Sequence, residues 1–242
     1  KLGLRSVIIG RQDAHAHNQG NLLLARLLGA EISLTTPDSQ GKMIEERMSQ
    51  LRSEGCHPFN TSSDGYAYRG IAYVDGFLEI WEQLQSTNTY PDAIYVCSGA
   101  HTHTGMVVAS KALGLQLRFI GISPSPRNDV DASHHMANLA NKHAEILDLK
   151  TEFTPTDFES YSEFVGPDYG VLTDKAAEAI RFVARTEGML LDPSYTGKTV
   201  AGLMAHIERG QWSSNNSIVL VHTGGIPALF AYATELDLSP SD

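Results

Sequence analysis

The segment VCSGAHTHTG, residues 96–105, brings hydroxyl and imidazole side chains to the point where an apolar strand pattern passes into a helical pattern. Its small-residue turn and first helical positions are Ser98, Gly99, Ala100, His101 and Thr102. Backbone N–H groups of such a turn, together with a helix N-terminus, bind anions such as phosphate, and a threonine hydroxyl adds a donor. A metal site and an ordinary strand-to-helix turn are the other interpretations.

Two later segments also end in a turn rich in small or hydroxylic residues: DPSYTGKTVAG at 192–202 and VHTGGIPAL at 221–229. In open α/β sheets, ligands bind outside the carboxyl ends of the strands. We therefore predict that the strands before Ser98 and before Thr223 lie in one parallel or mixed sheet. Both turns would then open on one cleft.

Two pairs of histidines have a one-residue spacing that metal ligands can show: His15 with His17, and His101 with His103. The chain contains 10 histidines, but no Cys/His/Asp spacing typical of a metal centre accompanies either pair. We therefore predict no metal site and interpret the turn at 98–105 as an anion site.

Strand-like and helix-like patterns alternate along the chain. Apolar runs of strand length occur at 5–9, 31–36, 92–99, 117–123 and 217–225. Helical patterns occur at 21–29, 41–55, 70–84, 105–114, 132–149, 174–188 and 199–210, and loops are predicted at 123–128 and 151–160. Strands separated by helices predict an α/β protein with parallel sheets. A change in character at 57–70 predicts a smaller α/β domain, 1–67, and a larger one, 68–242.

Composition excludes several classes of protein. The formal net charge of −10 and the lack of a basic cluster argue against nucleic-acid and anionic-membrane partners. Cys56 and Cys97 fit no disulfide framework, so a reducing cytoplasm is expected. There is no apolar run of membrane-spanning length and no signal-peptide pattern. The opening KLGLRSVIIG is typical of a helix end followed by a strand, which predicts a truncated or processed chain.

Four motifs resemble one enzyme family: NQGNLLLARLLGAEI, FVGPDYGVLT, ARTEGMLLDPSYTGKTVAGLMAHIERG and VLVHTGGIPALFAY. They are similar to segments of the D-cysteine desulfhydrase and 1-aminocyclopropane-1-carboxylate (ACC) deaminase family, in the same order along almost the whole chain. The resemblance implies a pyridoxal-phosphate (PLP) enzyme of the tryptophan synthase β-like fold type II. Such enzymes have two α/β domains with twisted, mostly parallel sheets flanked by helices and the cofactor between them. A cytoplasmic homodimer acting on a small amino acid is expected.

The resemblance also implies roles for particular residues. The turn from Ser98 to Thr102 would hold the cofactor phosphate, although relatives usually carry smaller residues where Ala100 and His101 stand. The Ala100 β-carbon and the His101 ring would crowd the phosphate, or the ring would instead donate a hydrogen bond to it. The family pattern places Tyr169 and Tyr195 over the reacting carbons, as catalytic residues. It assigns Thr196, Thr223 and Gly224 to the cofactor.

Thr196 and Thr223 favour the desulfhydrase branch, because ACC deaminases carry glutamate and leucine at these positions. A carboxylate beside the pyridine nitrogen keeps that nitrogen protonated, whereas a threonine hydroxyl only hydrogen-bonds it. Elimination of a good leaving group such as a thiol needs a weaker electron sink than opening of a cyclopropane ring.

The family's Schiff-base lysine belongs to a segment upstream of the residues in this chain, and none of the chain's own lysines has a matching context. We therefore expect the larger part of a D-cysteine desulfhydrase-like lyase that yields pyruvate, sulfide and ammonia. Its N-terminal segment would be missing, cleaved or held on a separate polypeptide. The alternatives are ACC deaminase, L-cysteate sulfo-lyase, and a non-catalytic homologue acting as a binding or regulatory subunit.

Overall fold

The computed structural model describes residues 3–12, 19–98 and 100–236. The chain divides into two compact units, residues 1–64 with 227–242 and residues 65–226. His15, His17 and Gly99, which the sequence singled out, lie outside the described residues.

The first unit is built on a two-stranded parallel sheet. Strands β1 (Val7–Arg11) and β2 (Glu31–Thr35) pair in register from Val7↔Glu31 to Arg11↔Thr35. Helix α1 (Gly20–Leu27) joins the strands, and α2 (Pro37–Ser53) follows β2. Proline at the first turn of α2 suits a position where the backbone N–H has no partner within the helix.

The second unit is a four-stranded parallel sheet in the order β5-β4-β3-β6. Its strands are β3 (Ala93–Cys97), β4 (Phe119–Ile122), β5 (Glu159–Tyr161) and β6 (Ile218–Leu220). Its helices are α3 (Tyr68–Ser86), α4 (His101–Ala112), α5 (Asp129–Ile146), α6 (Asp174–Glu187) and α7 (Thr196–Glu208). Helix α8 (Ile226–Leu229) begins at the last residue of this unit, and its other residues are assigned to the first unit. A short 3-10 helix occupies Pro155–Asp157 in the second unit, and another, Phe230–Tyr232, belongs to the first unit. This arrangement confirms the predicted α/β class with parallel sheets flanked by helices.

The central strands β3 and β4 are buried on both faces, because alternate side chains point to opposite sides of a strand. Ile94 and Val96 belong to the larger core with α3, α4 and α5, whereas Tyr95 belongs to a second core that includes Ile120. This two-sided burial explains why both strands read as continuous apolar runs in the sequence.

Residues 151–160 are predicted as a loop, but the end of this segment is the start of a strand. β5 begins at Glu159 and pairs with β4 through Ile120↔Glu159. The prediction failed because this edge strand is polar. Its Glu159 carboxylate accepts two hydrogen bonds from Arg118, each 2.7 Å long. Within the described residues, no helix is long and apolar enough to cross a membrane.

Candidate functional site

The two turns singled out in the sequence leave the same edge of the sheet. Strands β3 and β6 are parallel neighbours with Tyr95 opposite Leu220, and Val221 N–H donates to the Tyr95 carbonyl at 2.9 Å. The prediction that the strands before Ser98 and Thr223 share one parallel sheet is therefore confirmed. The chain beyond each strand enters the region where ligands bind in open α/β sheets.

At Ser98, the turn after β3 uses its backbone N–H within the sheet, where it donates to the Ile122 carbonyl at 2.8 Å. The Ser98 hydroxyl is buried and lies 3.2 Å from His103 Nδ1 and 3.2 Å from the Ser160 hydroxyl. His103 itself is fully buried, and this burial lowers its pKa to about 4. The sequence does not reveal that His103 contacts the turn through the Ser98 hydroxyl. Ser160, which contacts the same hydroxyl, is distant along the chain.

Ala100 immediately precedes α4 with φ 98° and ψ −70°, a left-handed conformation that glycine adopts more readily. Its methyl group is 2% exposed and packs in the larger apolar core. The Ala100 side chain is thus directed into the protein core.

The His101 ring lies edge-on against Tyr66, with ring centroids 4.5 Å apart. Burial, and then the positive charge of Arg69, lowers the pKa of His101 to about 4, so the imidazole is neutral at pH 7. Its Nδ1 and the Thr104 hydroxyl are buried polar atoms with no hydrogen-bond partner among the described residues. Thr102 is half-buried beside them.

The N-terminus of α7 is built around the carboxyl group of Asp192, which is fully buried. Its oxygens accept from the N–H groups of Ser194, Tyr195 and Thr196 at 2.7–2.9 Å. The Thr196 hydroxyl donates to Asp192 Oδ1 at 2.7 Å and accepts from Asp192 N–H at 2.8 Å. The Thr196 side chain is 1% exposed, and its hydroxyl is therefore part of the helix cap.

The turn after β6 is held by His222. Its Nδ1 accepts from Gly224 N–H at 3.2 Å, so its Nε2 carries the proton and donates to the Leu190 carbonyl at 2.8 Å. Between these anchors, the Thr223 side chain is exposed. Of the two threonines assigned to the cofactor, Thr223 is the one whose hydroxyl is open to a ligand.

Gly225 brings this turn against the cap of α7. A β-carbon added at Gly225 would lie 2.6 Å from Asp192 Cγ, whereas one added at Gly224 would meet nothing within 4 Å. Both glycines have positive φ values, 101° for Gly224 and 93° for Gly225. The close approach at Gly225 therefore ties the Thr223 turn to the helix that carries Tyr195.

We expect Gly225→Ala to lower the free energy of unfolding by about 3 kcal/mol and Gly224→Ala by about 1 kcal/mol. Both alanines would take a left-handed conformation, but only the first would also overlap Asp192. Urea titration of the two variants measures the difference. Equal losses would show that the approach to Asp192 is not a close one.

Tyr169 and Tyr195 meet through their hydroxyl groups, and their rings stand edge to face with centroids 5.8 Å apart. Tyr195 is half-buried at the cap of α7, and Tyr169 is 51% exposed on the loop before α6. Burial raises the pKa of Tyr195, and the Tyr169 hydroxyl raises it further. At neutral pH Tyr195 is therefore a protonated phenol.

The fold and these strand-end turns are those of the pyridoxal-phosphate dependent enzyme family, whose model matches residues 1–224, and the chain belongs to this family. A crystal structure of an ACC deaminase homologue has a TM-score of 0.82 and 29% sequence identity, and the match covers 97% of this chain and 70% of that one. O-ureido-L-serine synthase gives a TM-score of 0.60 at 15% identity, covering 98% of this chain and 71% of that one. A threonine deaminase from T.th. gives a TM-score of 0.57 at 18% identity, covering 93% of this chain and 70% of that one. The last two likenesses concern the fold alone.

The N-terminus of α4 fits the phosphate of PLP. The first N–H groups of a helix have no acceptor within that helix, and the helix dipole favours an anion there. Three buried polar atoms without a hydrogen-bond partner among the described residues lie in the first turn of this helix, on His101, His103 and Thr104. Among the described residues, no group of three or more His, Cys, Asp and Glu side chains is arranged to hold a metal ion.

Proposed function

We propose that this chain is the larger part of a PLP-dependent lyase that eliminates the β-substituent of a small amino acid, with D-cysteine as its best substrate. One D-cysteine and one water would yield pyruvate, hydrogen sulfide and ammonia. The observation that carries the proposal is the uncharged, exposed Thr223, together with Thr196, whose hydroxyl is engaged by Asp192. Neither residue provides the carboxylate that ACC deaminases place beside the cofactor ring.

Residues of this chain would bind the cofactor at two ends, the phosphate and the ring nitrogen. Backbone N–H groups at His101 and Thr102 would hold the phosphate, and the Thr223 hydroxyl would hydrogen-bond the ring nitrogen without adding charge. PLP, when bound, supplies an electron sink that lets the α-proton and then the β-substituent leave.

The tyrosine pair would act on the substrate. Tyr195, held as a neutral phenol, can donate a hydrogen bond to the substrate carboxylate or pass a proton at the reacting carbons. Tyr169 would hold that hydroxyl in place through the contact between the two side chains.

We also propose that the lysine bonded to the cofactor comes from a polypeptide segment outside these 242 residues. Lys42, Lys111 and Lys175 are paired with Glu46, Asp157 and Glu178, and Lys198 is enclosed in the protein. A cytoplasmic homodimer, with that segment preceding this one or on a separate polypeptide, is the assembly we expect.

The second candidate is ACC deamination, which the similarity to an ACC deaminase homologue favours. The remaining alternatives are L-cysteate sulfo-lyase activity and a non-catalytic binding or regulatory role.

The natural protein, purified with any accompanying polypeptide and loaded with PLP, separates these candidates in a two-substrate assay. We expect sulfide release from D-cysteine to exceed ammonia release from ACC by at least 100-fold, an advantage of about 3 kcal/mol. Equal or greater turnover of ACC would contradict the desulfhydrase proposal, and sulfite release from L-cysteate would identify the sulfo-lyase. Inactivity towards all three, with cofactor bound, would favour the non-catalytic role.

A further inference from the structure

Lys198 is a buried cation beside the tyrosine pair, and the proposed chemistry gives it no role. It lies in the first turn of α7, three residues after Tyr195, and its side chain is 0% exposed. A fully buried lysine is rare, because removing an ammonium group from water is costly unless other groups compensate. The contacts that compensate for this burial are therefore informative.

The Lys198 ammonium donates to the backbone carbonyl of Asp168 at 3.3 Å. The same carbonyl accepts from Val171 N–H at 3.4 Å, which closes the turn at 168–171. Burial lowers the pKa of Lys198, while Cys97 and the side chains of Asp168 and Asp192 act in the opposite direction. Because burial raises the pKa of the Cys97 thiol to about 12, the two carboxyl groups are the main counter-charges.

The segment held by this contact carries Tyr169. It is bounded by Gly166 and Gly170, which both have φ of 76°, and the chain is anchored just before it by Val165, 1% exposed. The Tyr169 side chain is half-exposed, so burial alone fixes it weakly. The segment contacts the start of α7 through the hydroxyl pair with Tyr195 and through the bond from Lys198 to Asp168.

We propose that Lys198 is a positioning residue, which sets the backbone of residues 168–170 so that the Tyr169 hydroxyl reaches Tyr195. Its significance for catalysis rests on the proposed function, in which this pair faces the substrate. Lys198 does not contact substrate in this scheme, because its side chain is enclosed on all sides. It fixes one end of the tyrosine pair while the cap at Asp192 fixes the other.

Hydrogen exchange of the intact chain tests the positioning role without any need for activity. Lys198→Met keeps an unbranched side chain of similar length but removes the donor. We expect amide exchange at residues 169–171 to become at least 10-fold faster, with β3 and the last turns of α7 unchanged. The control is Lys175→Met, which removes an exposed lysine paired with Glu178 and should leave exchange at 169–171 unaltered.

Unchanged exchange at 169–171 in Lys198→Met would overturn the proposal, and so would an equal acceleration throughout α7 and β3, which indicates a packing role. If the methionine variant does not fold, Lys198→Gln, which retains an N–H donor, is compared with Lys198→Ala, which does not. Amide exchange at 169–171 should be slower in Lys198→Gln than in Lys198→Ala. The reverse order would also overturn the proposal.

A kinetic readout on the complete enzyme distinguishes this inference from the lyase proposal. Lys198→Met should lower kcat by several-fold and by no more than about 10-fold, because Lys198 acts through the Tyr169 hydroxyl. PLP affinity should stay within 2-fold, because the phosphate turn at α4 does not contain Lys198. Faster exchange in an enzyme without lyase activity would support the positioning role and reject the proposed reaction. Normal kcat in the variant would reject the role of Lys198 and leave the reaction standing.

Discussion

Asp192→Ala is expected to lower the free energy of unfolding by about 4 kcal/mol, because it leaves several buried donors without an acceptor. The carboxyl group accepts three backbone N–H bonds and the Thr196 hydroxyl, all inside the protein. Denaturation by urea, followed by far-ultraviolet circular dichroism and tryptophan fluorescence, measures the loss. Both tryptophans, Trp81 and Trp212, belong to the unit that contains Asp192.

Asn128→Ala is the matched control for this change. Asn128 caps α5 by accepting from two backbone N–H groups at 2.9 and 3.3 Å, but it lies on the surface. Removal of an exposed cap costs about 1 kcal/mol, since water replaces the lost acceptor. A loss for Asp192→Ala no larger than that of Asn128→Ala would show that water also reaches the cap of α7.

The alternation of strands and helices is readable from the sequence because the central strands are buried on both faces. β3 and β4 appear as continuous apolar runs, and their parallel pairing follows from the helices between them. β5 escapes prediction because Glu159, Ser160 and Tyr161 form a polar edge strand whose stability depends on Arg118, a residue 41 positions away. Local pattern cannot reveal such a partner.

Hydrophobic periodicity also places the helix starts too late. The pattern predicts α4 from Gly105 and α7 from Thr199, but these helices begin at His101 and Thr196. The first turns of both helices contain polar side chains that are nevertheless buried, such as those of Thr104 and Lys198. Periodicity detects a helix only where its buried face is apolar.

The sequence identifies both turns by their small residues at strand ends, but it identifies the tyrosine pair only through resemblance. It does not show the residues that hold either feature in place. Asp192 has a readable signal, because an aspartate can cap the backbone N–H groups two to four positions after it. His222 has none, since its partner is the Leu190 carbonyl, 32 residues earlier. Thr196 is expected at the ring nitrogen, yet its hydroxyl is bound to Asp192. The substrate prediction therefore depends chiefly on Thr223.

Tyr195→Phe is expected to lower kcat for sulfide release by about 100- to 1,000-fold, the lower part of the range for removal of a group that transfers a proton in the transition state. Tyr169→Phe should cost about 10-fold, because its hydroxyl acts on Tyr195 and not on the substrate. Steady-state kinetics of sulfide release from the PLP-loaded natural enzyme measures both. Tyr90→Phe, which alters an exposed tyrosine whose ring stands edge to face with Trp81, is the control and should leave kcat unchanged.

The double variant decides between one functional unit and two independent groups. If Tyr169 works by holding the Tyr195 hydroxyl, its removal has no further effect once that hydroxyl is gone, and the double variant should match Tyr195→Phe within about 2-fold. Multiplied losses of about 1,000- to 10,000-fold would mean that each hydroxyl acts on the substrate separately. A larger loss for Tyr169→Phe than for Tyr195→Phe would reverse the assignment and make the exposed tyrosine the proton donor. In that case Lys198, which holds the Tyr169 backbone, would position the group that reacts and not its support.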